Sequence, residues 1–143
     1  MKLDTSFLER CVKTLEKSLD LLNQTDPQKI EYDMYRSACV NEFEIILEQT
    51  GKLFKKCLKP FFPSSKEVDA LYFKDIFRRA ATHGLISIEE AERWLKYRDN
   101  RNSTAHDYGV GFAEKTFVLL PGFISDAQKA VLAIQKTSND SPS

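Results

Sequence analysis

Residues 87–108 read Ser-Ile-Glu-Glu-Ala-Glu-Arg-Trp-Leu-Lys-Tyr-Arg-Asp-Asn-Arg-Asn-Ser-Thr-Ala-His-Asp-Tyr. Ser87 with Glu90 three residues on is a capping box, so a helix opens there. Ile88, Ala91, Trp94 and Leu95 follow as an apolar stripe at helical spacing. Continued by fours past Leu95, the same face carries Arg98, Asn102 and His106. Burying those groups without partners costs several kcal/mol. The face therefore stops being core and becomes a cleft, an interface or a site.

Upstream, the same period recurs. Phe7, Leu8, Cys11, Leu15, Leu19 and Leu22 mark a first helix over about residues 4–24. Thr25-Asp26-Pro27 breaks it, and proline suits the start of the next. Ile30, Met34, Ala38, Ile45, Leu53, Cys57 and Leu58 contribute to a long second stripe over about 28–59. Gly51 inside it costs roughly 1 kcal/mol relative to alanine, which calls for a reason such as close approach of another helix. Pro60 and Pro63 end it, with Phe61-Phe62 expected to tuck into the bundle end. Ser64 and Glu67 form a capping box that opens a third helix to about His83, with Val68, Leu71, Tyr72, Ile76 and Ala80 facing inward. Gly84 ends it as a C′ glycine.

Downstream, Gly109 and Gly111 mark a turn, and Phe112 to about Gln135 is helical in pattern. Pro121-Gly122 within it predicts a kink or a split. No alternating strand pattern, repeat or interdomain linker is visible. The expectation is one all-α domain over 1–143, an antiparallel up-and-down bundle of four to five helices with a disordered polar tail at 137–143.

The chain has 143 residues and a formal net charge of zero, so bulk attraction to nucleic acid or membrane is not implied. No apolar run approaches the roughly 20 residues that cross a membrane, and Met1-Lys2-Leu3-Asp4 lacks the apolar core of a signal peptide. Cys11, Cys39 and Cys57 are odd in number and sit in apolar stripes, as reduced core thiols of a cytoplasmic protein do. Glu44 and Glu48 share a face of the second helix, yet no histidine is in register with them, so neither metal nor cofactor is expected. The lysines at 52, 55, 56 and 59 suit the dipole at that helix's C-terminal half.

His83 precedes Gly84 at a helix end, where a structural role fits. His106 lies in a run with nothing aliphatic larger than alanine from Lys96 to Asp107. On a regular helix Arg101 and His106 stand about 140° apart. Either the helix unwinds before His106, or a second copy brings two Arg101 and two His106 into one groove about a two-fold axis. An arginine that holds phosphate and a histidine that moves a proton suit cleavage of RNA by its own 2′-hydroxyl. The alternative is that both side chains cap carbonyls at the helix end and bond to Asp99 and Asp107.

Arg101-Asn102-Ser103-Thr104-Ala105-His106 resembles the Arg–polar–(three residues)–His signature of HEPN domains. Tyr108, two residues on, is similar to the toxin branch paired with minimal nucleotidyltransferases. Phe43-Glu44, Glu48 and Lys52 resemble the second helix of the nucleotidyltransferase substrate-binding type. Ser65-Lys66-Glu67-Val68, His83-Gly84-Leu85-Ile86, Trp94 and the Arg98–Asn102 run extend the likeness over about residues 3–135. The resemblance implies a two-fold homodimeric bundle with a small nucleotidyltransferase as partner. It implies one of two activities. In one, the chain is a metal-independent ribonuclease toxin with Arg101 and His106 catalytic. The partner is then an antitoxin that transfers AMP onto Tyr108. In the other, the same groove binds nucleotide or substrate for the partner enzyme without chemistry. Arg98, Asp99 and Asn102 are the expected substrate-binding residues, and in the binding reading Arg98, Arg101 and Asn102 hold the phosphate.

Overall fold

In the computed structural model, residues 2–104 and 110–140 are described, with side chains at 2–100 and 115–138. The described residues form six α-helices: α1 Ser6–Asn23, α2 Ile30–Leu58, α3 Ser65–Asp69, α4 Phe73–Thr82, α5 Ile88–Thr104 and α6 Val110–Asp140. A 3₁₀ turn, Lys59–Phe61, follows α2. The expected all-α bundle is what forms.

α1 closes on α2, and α6 packs against both. Pairs from Leu3 to Ser138, Thr5 to Gln135 and Glu16 to Gln128 run in opposite senses, so α1 and α6 are antiparallel. α4 and α5 pack against each other on the other side of α2. The centre is aromatic. Phe43 meets Phe123 at 4.6 Å between ring centroids, Phe54 meets Phe77 at 5.5 Å, and Trp94 stacks on Phe77 at 5.1 Å. Cys11, Cys39 and Cys57 are buried free thiols, and burial pushes each up to about 11.

Several expectations change. The third helix is two helices. Ser64 caps α3 by accepting from the Glu67 N–H, and a second acceptor, Asp75, takes the Tyr72 N–H three residues before it. That second cap restarts the helix at Phe73 with Tyr72 in extended backbone. Tyr72 consequently faces out, 80% exposed, and does not pack inward. α6 does not split at Pro121-Gly122. Both residues lie on its solvent side, where an unpaired carbonyl can meet water, while buried Leu120 and Phe123 hold the helix on either side. Phe7, Ile30, Met34 and Ile88 are exposed, so their stripes are narrower than the sequence suggests.

Two expected turns hold. Gly84 has φ +76° and ends α4 in the left-handed region. Ser87 accepts from the Glu90 N–H at 3.0 Å while the Glu90 carboxylate accepts from the Ser87 N–H at 3.3 Å. Phe61 is half-exposed and stacks on His83 at 4.0 Å, which gives His83 its structural place. The Lys115–Ser138 stretch of α6 is long and apolar enough to cross a membrane, unlike the expectation from counting apolar runs. Leu120, Phe123, Ala127, Ala130 and Ile134 in that stretch are fully buried in the bundle core. α6 runs to Asp140, and buried Ser138 accepts from the Leu3 N–H.

Candidate functional site

The site predicted from sequence lies at the end of α5. The capping box at Ser87 fixes where this helix begins, and two buried side chains fix its rotation. Trp94 is fully buried between Phe77 and Phe123, and Tyr97 stands edge-on to both Trp94 and Phe123 at 5.6 and 5.0 Å. Tyr97 is the last buried residue of α5 among those described, yet the helix continues to Thr104. The seven residues after Tyr97 make about two turns whose sequence is polar.

Arg98 lies with its guanidinium 4.8 Å from the Phe73 ring centroid, at the start of α4. A planar cation over an aromatic face is a physical answer to a charge on a face that was apolar one turn earlier. Asp99 pairs with Lys74 Nζ at 3.8 Å. Both side chains are more than half exposed, so the pair contributes little to stability. Asn100 Nδ2 donates to Thr116 Oγ1 at 3.1 Å on α6. The backbone of Arg101 and Asn102 belongs to α5; their side chains, and the whole of His106 and Tyr108, lie outside the described residues. The structure thus brings Arg98 and Asp99 together at the junction of α4 and α5.

A second polar group was not singled out from the sequence. Asp126 on α6 is 2% exposed and accepts from Arg93 Nε and Nη2, both at 2.9 Å, and from the Tyr97 hydroxyl. The hydrogen bond to Asp126 raises the already high pKa of Arg93. Burial first, and then the hydrogen bond to Asp126, push the Tyr97 phenol well above its usual range. A sequence signal for this network existed. Asp126 falls in the apolar phase of Phe123, Ala127 and Ala130, where a carboxylate needs a cationic partner.

The profile of the family described as "Nucleotidyltransferase substrate binding protein like" matches residues 3–136. "Probable ribonuclease HepT" of Haemophilus influenzae is 28% identical over 130 residues, covering 88% of each chain. The fold resembles a solved Haemophilus influenzae structure with a TM-score of 0.77 and 23% identity, over 92% of this chain and 98% of that one. That structure is described as revealing the fold of a substrate-binding domain of a nucleotidyltransferase. A Thermus thermophilus structure matches with a TM-score of 0.62 and 26% identity, over 85% of this chain and 98% of that one.

Proposed function

This chain belongs to the nucleotidyltransferase substrate-binding-like family, and on that premise we propose that it works with a small nucleotidyltransferase and cleaves RNA without a metal. Arg101 and His106 are the catalytic pair, completed by a second copy of the chain about a two-fold axis. The observation that carries this is the run of α5 beyond Tyr97, its last buried residue among those described. Tyr97 closes the core, and the helix goes on to Thr104 with Arg101 on it. Two turns of polar sequence offer a core little to bury, so they point to work done at the surface. The relative named as a ribonuclease supports the same reading.

The chemistry follows from the residue types. An imidazole takes the proton of the RNA 2′-hydroxyl, and the new oxyanion attacks the adjacent phosphorus. The P–O2′ bond forms as the P–O5′ bond breaks, and the protonated imidazolium of His106 in the other copy gives its proton to the leaving 5′-oxygen. Arg101 holds the phosphate and stabilises charge on its equatorial oxygens. Arg98, Asp99 and Asn102 line the approach of the strand. AMP transferred to Tyr108 places a negative phosphate two residues from His106 and shuts RNA out of the groove.

The test is cleavage of single-stranded RNA by the purified chain with chelator present. His106→Ala and Arg101→Ala are each expected to slow it by roughly 10²–10⁴-fold. Unchanged cleavage in either variant removes that residue from catalysis. The description of the Haemophilus structure as a substrate-binding domain favours a second reading, in which the groove only holds nucleotide for the partner. Nucleotide binding by calorimetry in a chain that cleaves no RNA would select it.

A further inference from the structure

The face of α5 toward α6 carries a feature that the proposed chemistry does not use. Asp126 is the only charged residue among the buried described ones, and its two donors come from one helix. Arg93, Tyr97 and Asn100 stand at i, i+4 and i+7, so they form one stripe along α5. The stripe meets α6 at two anchors, Asp126 and fully buried Thr116. These anchors flank Pro121-Gly122, where α6 lacks one backbone donor and carries its poorest helix former after proline. α5 therefore splints α6 across its weakest point, and α6 in turn fixes the rotation of α5.

The seam ends where the proposed site begins. Arg101 follows Asn100 directly and lies one turn past Tyr97. Side-chain tips stand about 5–6 Å from a helix axis, so a 20° turn of α5 moves one by about 2 Å. A misplacement of about 1 Å can cost roughly 10²-fold in rate. Apolar contacts could hold the two helices together as strongly, but they tolerate several near-equal rotations. A two-pronged arginine–carboxylate pair with a tyrosine on the same carboxylate tolerates one.

We propose that Asp126 is a positioning residue for the Arg101 site: through Arg93 and Tyr97 it locks the rotation of the α5 turns that bear Arg101. The proposal rests on the ribonuclease reading for its catalytic consequence and on the Asp126 contacts for its mechanics. The test uses the full chain, the isosteric Asp126→Asn and the milder Tyr97→Phe, with Leu22→Val in α1 as a remote destabilised control. Steady-state cleavage of an RNA oligonucleotide is measured beside amide hydrogen exchange. Asp126→Asn is expected to lower kcat roughly tenfold or more while KM stays within about twofold. Exchange at residues 98–104 speeds up, and the amides of α1 keep their protection. Tyr97→Phe moves both readouts the same way by less.

Unchanged kcat in both variants overturns the proposal. So does an equal fall in kcat for Leu22→Val at matched stability, since the role is then only structural. If the unaltered chain cleaves no RNA, the ribonuclease reading falls separately. Exchange then decides the clamp alone: protection at 98–104 that survives Asp126→Asn sinks it, and faster exchange confined there upholds it.

Discussion

The two sides of α5 are built on different principles. Toward α4 the helix meets its neighbours with rings: Trp94 on Phe77, and Arg98 over Phe73. Toward α6 it adds hydrogen bonds to rings: Arg93 and Tyr97 bond Asp126 and Asn100 bonds Thr116, beside the edges of Trp94 and Tyr97 on Phe123. Ring burial is non-directional and scales with area, so the rings around Trp94 supply stability. A buried carboxylate gains little net free energy from its partners but accepts few geometries, so the α6 side supplies register. A helix whose end carries a candidate site needs both.

That division is open to a direct measurement. Trp94 is fully buried, and Trp94→Ala is expected to cost about 3–5 kcal/mol in denaturant unfolding. Asp126→Asn should cost clearly less, because the Arg93 side chain is 43% exposed and regains water when its partner weakens. Equal losses from the two variants would erase the distinction. The Trp94 indole N–H is buried with no partner among the described residues. Trp94→Phe therefore removes an unsatisfied donor along with one ring, and should cost less than the alanine variant.

How much of this was legible beforehand follows the same division. The aromatic side was visible because apolar residues at three and four announce a helix face, and Trp94, Ile76, Ala80 and Val68 are all buried as expected. The Ser87 capping box, the Ser64 cap and the Gly84 turn were readable from local chemistry alone. The break at Tyr72 was not, because Asp75 as a cap looks like an ordinary helical carboxylate until the backbone is seen to stop. The Asp126 network joins residues 33 apart in sequence, and no local period encodes such a pairing. Pro121 does not split α6 for a related reason: propensity is local, whereas the packing of Leu120 and Phe123 that holds the helix on either side is not. Of the six residues that the sequence proposes for the candidate site, the described side chains place only Arg98 and Asp99.

Alkaline pH tests the buried interior in another way. The buried thiols of Cys39 and Cys57 are pushed up from 9.0 to about 11, as is Cys11. Below about pH 9 these thiols hold their protons in both folded and unfolded chains. Between about 9 and 11 only the unfolded chain releases them, so stability falls as pH rises through that window and then levels off for these groups. Tyr97, raised by burial and by Asp126, prolongs the fall at higher pH. Urea unfolding at successive pH values should show this decline, and Cys39→Ala should make it shallower between pH 9 and 11. A slope unchanged by that substitution would mean that Cys39 is already ionised in the folded chain.

The smallest expected effect concerns how tightly the aromatic side is filled. Gly51 of α2 faces Phe73, and a methyl group built on it would lie 3.4 Å from Phe73 Cδ2 and 3.5 Å from Cε2, with Phe77 at 4.0 Å. Those are ordinary van der Waals distances. The close approach that a mid-helix glycine suggests is real, but it stops just short of excluding alanine. Gly51→Ala then gains helix propensity, up to about 1 kcal/mol, and adds contact to a ring that also carries Arg98. Thermal unfolding should show a small rise in Tm. A fall instead would mean that the Phe73 ring cannot yield even a few tenths of an ångström, and that the Arg98 turn of α5 is held as rigidly from the aromatic side as from the polar one.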